Sequence, residues 1–174
     1  MKKLLALTLA LIMVFALAST SIASAATAQY STTQEFMDYC DRNGIKYEYV
    51  GMGTTASGQP TGRETVRTQW RGDNFDSLSV TLAFDQSEDT ARLYSWNIID
   101  YNSYNYSSML EVVNNLNAKV FWVKFYCDTS DNSVSGEMSI PLRKGVAGEL
   151  AVDALYAMVS IIDDAGEYLA PYAK

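Results

Sequence analysis

No histidine occurs among the 174 residues, which bounds the reactions open to this chain before any fold is considered. Ser-His-Asp and Cys-His nucleophilic catalysis, histidine-ligated zinc and an imidazole pH switch all need that ring. Carboxylates remain for acid–base work. Asp163, Asp164 and Glu167 are the densest group of them, and a cell-wall glycan hydrolase would need two such groups converging on one bond. Neighbouring helical residues point different ways, so a solvated helix face accounts for the three. No catalytic residue and no cofactor are assigned, and the chain is read as not an enzyme.

Metal and phosphate chemistry fit no better. Asp128 and Asp131 sit in "DTSDNS", but a calcium loop needs oxygens at alternate positions and a distal glutamate, and turn chemistry explains both aspartates. No metal site is assigned. "GMGTTASGQPTGR", from Gly51 to Arg63, has the glycines of a phosphate loop, yet no Gly-Lys-Ser/Thr follows; it is expected to be a mobile hairpin loop. Arg71-Gly72-Asp73 spells an adhesive tripeptide, and "RGDNF" reads as a hairpin turn instead. Cys40 and Cys127 form no CxxC. An oxidising compartment permits a disulfide between them, and two buried thiols are the alternative, since a domain of this size needs no staple.

Recognition is the chemistry these residues do offer. "YNSYNYSS", from Tyr101 to Ser108, puts three tyrosines and two asparagines in eight positions without a charge. Tyr106 falls in register with Met109, Val113 and Leu116 on an apolar helical stripe, which leaves Tyr101 and Tyr104 free for a ligand. The asparagines and serines are residue types that open helices. In "VFWVKFYC", Phe121, Val123, Phe125 and Cys127 alternate as an apolar set, and Trp122, Lys124 and Tyr126 face the other way. Trp122, Lys124, Tyr126, Tyr101 and Tyr104 are therefore the candidate contacts for a protein or peptide partner. Stacking of Tyr101, Tyr104 and Tyr106 on an extracellular glycan is the rival use.

The elements that must position these side chains follow from periodicity. Thr32-Thr33-Gln34-Glu35 reads as a capping box, opening a helix with Phe36 and Cys40 on one face and Asn43-Gly44 at its end. A strand begins over Ile45 to Val50. Thr65 to Arg71, Ser77 to Phe84 and Arg92 to Ile99 alternate as strands, the last with Tyr94, Trp96 and Ile98 on a shared face. Met109 to Ala118 is helical, with Ser108 and Glu111 as a second capping box. Val120 to Cys127 and Val134 to Leu142 form a hairpin, and Ala147 to Ala170 is an amphipathic helix seamed by Leu155, Val159 and Ile162 and closed by Pro171. The order is α-β-β-β-α-β-β-α. Strands with one polar side predict an antiparallel sheet covered on one face, an α+β architecture.

Compartment and charge narrow the partners. Lys2 and Lys3, the apolar run Leu4 to Leu17, and Ala23-Ser24-Ala25 before Ala26 read as a signal peptide over residues 1–25, leaving one domain over 26–174. A signal anchor competes, but the run is short for a bilayer span. A secreted or periplasmic location is expected, with no stable membrane association after cleavage. Loss of Lys2 and Lys3 leaves 11 basic against 20 acidic residues, a formal charge of −9. That balance excludes nucleic acid, whose phosphates need neutralising cations.

From Trp96 to Ala165 the order and spacing of several segments resemble the YbjN-like family, also described as putative bacterial sensory transduction regulators. The resemblance rests on Asn97-Ile98, Leu116-Asn117, "VKFY" at Val123 to Tyr126, Pro141-Leu142 and Ala157-Met158-Val159, with "FMDYCDRNGIKYE" and "VRTQWRGDNFDSLSVTLAFD" upstream. It implies a fold similar to class I type III secretion chaperones, with the same element order. Proteins of that fold are generally non-enzymatic, often dimeric, and hold extended partner segments. Joined to the signal peptide, which typical members of the family lack, the resemblance implies an exported, non-catalytic protein- or peptide-binding module, with a second copy of the chain among its candidate partners.

Overall fold

The computed structural model describes residues 27–174, so the signal peptide expected over 1–25 lies outside the described residues. Helix α1 (Ser31–Asn43) leads into strands β1 (Tyr47–Thr54), β2 (Pro60–Trp70), β3 (Leu78–Asp85) and β4 (Thr90–Asp100). Helix α2 (Tyr106–Lys119), strands β5 (Lys124–Asp128) and β6 (Ser133–Pro141), and helix α3 (Ala147–Leu169) complete the chain, with 3-10 turns before α2 and after α3. All six strands form one antiparallel sheet in the order β1-β2-β3-β4-β6-β5. This is the expected α+β class. The strand beginning near Ile45 is a full member of the sheet, so four strands rather than three precede the middle helix.

Alternation along the strands sends Val66, Val80, Leu82, Phe84, Leu93 and Met138 to one face. There they meet Phe36 and Cys40 of α1, Met109, Val113 and Leu116 of α2, and Leu155, Met158 and Ile162 of α3. Helix α3 crosses α1 at Gly148, where a Cβ would stand 2.3 Å from the Glu35 carbonyl oxygen. Only glycine permits that approach.

The hairpin expected to be a loose loop is mostly strand. β1 and β2 pair as far as Thr54 and Pro60, with register shifts between Tyr49 and Gly51 and between Met52 and Thr54. Gly51 takes φ +92°, and the hydroxyls of Thr65 and Thr61 donate to the Gly51 and Gly53 carbonyls that the irregular ladder leaves over. Thr61, inside the expected loop, and Thr65, at the start of the expected strand, therefore stabilise bulges. β3 departs in another way. Its Thr81 and Ala83 are buried although they point away from the helices, because longer side chains on β2 and β4 cover them.

Helix caps were expected locally and are supplied from a distance. Helix α1 starts at Ser31, and no side-chain cap comes from its own first turn. Instead the Glu88 carboxylate, from the β3–β4 turn, accepts the amides of Ser31 (2.6 Å) and Thr32 (3.2 Å) and the Ser31 hydroxyl. Glu35, expected to cap its own helix, accepts the amides of Gly145 (2.9 Å) and Ala147 (2.9 Å) at the start of α3. Buried Glu64 of β2 accepts the amides of Gln29 (2.6 Å) and Tyr30 (2.9 Å) and the Tyr49 hydroxyl. Ser108 lies inside α2, which starts at Tyr106 without a side-chain cap, so the second capping box is absent as well.

Hydrogen bonds from Lys144 and Ser31 hold the Glu88 carboxyl at about 2, against an ordinary 4.5. A folded-state value below the unfolded one contributes stability above about pH 4.5 that is lost as pH falls through about 2. Glu88→Gln should cost about 1 kcal/mol at neutral pH, a typical cap. Its thermal midpoint should also fall less steeply than wild type between pH 4.5 and 2, the window set by Glu88. Parallel curves for the two proteins would assign the acid sensitivity elsewhere.

Candidate functional site

The face of the sheet away from the helices carries the side chains best placed for recognition. Register aligns Glu48, Arg67, Thr81, Tyr94, Glu137 and Lys124 in one row across all six strands. A neighbouring row holds Thr65, Ala83, Arg92 and Ser139, and Tyr126 pairs with Ser135 on the other side. Tyr94 and Trp96, two apart on β4, stack at 5.1 Å with ring planes 7° apart. Stacked neighbours on one strand cover one face of each other's ring and form a short wall. Trp96 remains 51% exposed. Burial, then the Glu137 charge, pushes the Tyr126 hydroxyl above its usual range.

Sequence periodicity placed Tyr94, Trp96 and Ile98 together, and the structure separates them. Asn97 adopts φ +52° at a bulge between Ser95 and Ile99, where the β4–β6 register shifts. Ile98 is thereby buried over Gly136, beside Val123 and Phe125, while Trp96 stays on the open face. An asparagine tolerates the left-handed region better than most residues, which is the signal that strict alternation ignored.

Of the five residues expected to contact a partner, the structure sorts four outward and one inward. Trp122 is 66% exposed, Tyr104 82%, and Lys124 and Tyr126 are exposed on β5. Tyr101 is only 1% exposed. Its amide donates to Asn132 O (2.8 Å), its hydroxyl to Asp128 O (3.3 Å), and its ring packs on Tyr106 at 6.3 Å. Tyr101 thus joins the entrance of α2 to the β5–β6 turn. The expectation that Tyr101 was free and Tyr106 buried is reversed, since Tyr106 is half exposed. The proposed tyrosine platform for a glycan loses its first member.

Phe121, expected to point inward, is 91% exposed. The strand starts at Lys124 rather than Val120, because the Val120 amide still donates to Leu116 O (3.0 Å) to finish α2. Between them, Phe121 and Trp122 occupy a bend. Asn117, in the last turns of α2, closes the outer edge of β5: its amide group donates to Phe125 O (2.8 Å) and accepts from Phe125 N (2.8 Å). An edge sealed this way cannot accept a strand there.

The remaining candidates are structural. Asp163 accepts the amides of Asp73 (2.9 Å), Asn74 (3.0 Å) and Phe75 (3.2 Å), pinning the Arg71-Gly72-Asp73 turn onto α3. A Cβ at Gly72 would lie 2.0 Å from that carboxylate. Asp128 and Asp131 accept amides two residues on, as turn aspartates do. Cys40 and Cys127 are both free thiols, so no disulfide joins them. Burial pushes the Cys40 thiol up to about 12, and Cys127 lies beside Tyr101 on the far edge strand. Among the described residues no cluster of three or more His, Cys, Asp or Glu could hold a metal, and no helix is long and apolar enough to cross a membrane.

Fold and face together define a small α+β domain whose distinctive surface is an open sheet face lined with aromatic and charged side chains. The chain belongs to the YbjN family: the family model described as "Putative bacterial sensory transduction regulator" matches residues 33–171. Among solved structures it is similar to YbjN, a putative transcription regulator from E. coli, at 12% identity over 78% of this chain and 92% of that one, with a TM-score of 0.47. It is also similar to the ExsC–ExsE complex, at 14% identity over 82% of this chain and 94% of that one, with a TM-score of 0.44. No curated protein matches the sequence.

Burial separates the roles of the candidate residues in a measurable way. Tyr101→Ala should cost about 3–5 kcal/mol in urea unfolding, as removal of a buried aromatic does. Trp122→Ala should stay within about 0.5 kcal/mol of wild type, as exposed positions do. A large loss for Trp122→Ala would make it part of the fold instead of part of a binding surface.

Proposed function

We propose that this protein is an exported, non-catalytic module that holds a segment of another protein against the open face of its sheet. The observation that carries the reading is the exposure, on the one sheet face without helices, of Trp96, stacked on half-buried Tyr94, with Tyr126 and Lys124 on the same face. Large aromatics left in water are the anchors of protein interfaces, and an exposed aromatic patch is otherwise an aggregation hazard. Export rests on the lysine-led apolar segment and small-x-small junction at the start of the chain.

A protein segment suits this face better than a sugar. Carbohydrate stacking uses exposed ring faces, and the Tyr94–Trp96 stack hides one face of each ring. Edges and the Lys124 and Glu137 head groups suit a polypeptide, which offers side chains and backbone amides together. Asn117 closes the outer edge of β5 to strand addition, and the exposed aromatics on the sheet favour contact through the face.

Co-purification with secreted proteins from the native source tests the reading. A partner should be recovered by the wild-type chain and reduced about tenfold or more by Trp96→Ala or Trp122→Ala, the loss expected of an interface anchor. Tyr156→Ala, on exposed α3, should recover as much partner as wild type. Equal recovery by all four proteins would remove the open face from consideration.

A further inference from the structure

A groove runs where the end of α1, the end of β2 and the outer side of α3 meet. Its first part, of about 320 Å³, lies among Asn43, Lys46, Gln69 and Trp70. Its second, of about 490 Å³, lies among Arg71, Asp73 and Ser160. Tyr156 lines both parts and joins them. We propose that this groove binds an uncharged saccharide chain, with the ring of Tyr156 as the platform on which one sugar stacks. The groove flanks β1 and β2, whereas Trp96 and Tyr126 stand on β4 and β5, so sugar and polypeptide have separate places.

Tyr156 stands between Asp153 and Ser160 on the outer stripe of α3, where a polar residue would be the ordinary choice. It is 48% exposed, and it meets Trp70 edge to face, at 5.3 Å and 73°. An edge-to-face pair covers a single ring face, whereas the parallel Tyr94–Trp96 stack covers two. Both walls are fixed before a ligand arrives. The Trp70 indole N–H donates to the Thr68 hydroxyl (2.9 Å), which donates to Val80 O (3.2 Å). Across the groove, Asp163 holds the amides of Asp73, Asn74 and Phe75, and the Asn74 side-chain amide donates to Asp163 O (2.9 Å). A preformed site loses little freedom on binding.

A pyranose ring presents a C–H face and a rim of hydroxyls. The face packs on an aromatic ring, and the hydroxyls need partners that donate and accept. Gln69 and Ser160 do both, Lys46 donates and Asp73 accepts, and all four are exposed around Tyr156. Aliphatic lining is limited, among the described residues, to Ile45 and Val159, too little for the apolar pocket that seats a peptide anchor. Charge is close to balanced. Lys46 and Arg71 line the groove with Asp73 and Asp163, while Asp41 and Arg42 precede Asn43 and Asp153 lies a turn before Tyr156. Arg71 is paired with Asp76 at 3.0 Å, and Asp163 is taken up by the turn amides. What remains is Lys46 and Arg42 against Asp73, Asp41 and Asp153, which leaves no cationic surplus to hold a uronate or phosphate polymer.

The test is migration of the chain lacking residues 1–25 through native gels cast with laminarin, galactomannan or hydroxyethyl cellulose, all uncharged. Gels with polygalacturonate and glycol chitosan are the charged comparisons. At least one uncharged polymer should retard the protein. Tyr156→Ala should weaken that binding about tenfold, the loss of a stacking ring, while Tyr156→Phe keeps it. Gln69→Ala should weaken it a few-fold through lost hydrogen bonds. Tyr168→Ala, which removes an exposed tyrosine of α3 outside the groove, should be retarded as wild type is. No retardation by any of the three uncharged polymers, or stronger retardation by either charged one, would overturn the uncharged saccharide. Retardation kept in Tyr156→Ala and lost in Trp96→Ala would overturn the groove and move the sugar to the sheet face.

Discussion

The fold depends on carboxylates that accept backbone amides from segments far away in sequence. Glu64 holds the approach to α1, Glu88 its first turn, Glu35 the start of α3, and Asp163 the turn between β2 and β3. Helix starts and tight turns leave N–H groups without partners, and a negative oxygen answers both the hydrogen bond and the helix dipole. Because each acid belongs to a different element from its amides, these bonds fix how the layers sit on each other. A single cap is a modest contribution of about 0.5–2 kcal/mol, but four of them join α1, α3, β2 and two turns into one body.

That arrangement keeps the helices to one side of the sheet. β3 and β4 lie in the middle and their inner residues fill the core, so the outer face must be closed by side chains alone. Long residues on β2 and β4 fold over the small ones on β3, and Ser135 is buried between β4 and β5 without a helix above it. The result is a continuous sheet surface with aromatics at one end and arginines at the centre. Its aromatic members are there through the pleat and through one irregularity, the Asn97 bulge, which sends Ile98 inward and leaves Trp96 out.

The layering was legible in the amino-acid pattern, because alternation and helical stripes depend on burial over many residues at once. Met109, Val113 and Leu116 were readable as a buried stripe for that reason. Long-range polar contacts were not. Glu35 stands where a capping box would put it, and nothing local says that its oxygens turn to Gly145 and Ala147, more than a hundred residues on. Phe121 was misplaced because the end of α2 extends to Val120, a boundary that apolar spacing does not mark. Tyr101 was misplaced because its burial comes from Asp128, Asn132 and the chain end at Ala173, none of which is near it in sequence. Tyr94, Trp96 and Ile98 were placed on one shared face, and only the Asn97 bulge and the register with Thr81 and Glu137 part the outward pair from Ile98.

Whether the open face is where this protein meets its partner can be read from the position of a covalent bond. Benzoylphenylalanine placed at Trp96, and separately at Tyr156 on α3, would be illuminated in the native secretome and the adducts sized. The account predicts a discrete protein adduct from position 96 and none from position 156. An adduct formed from 156 alone, with 96 unreactive, would contradict it and move the binding surface to the helices.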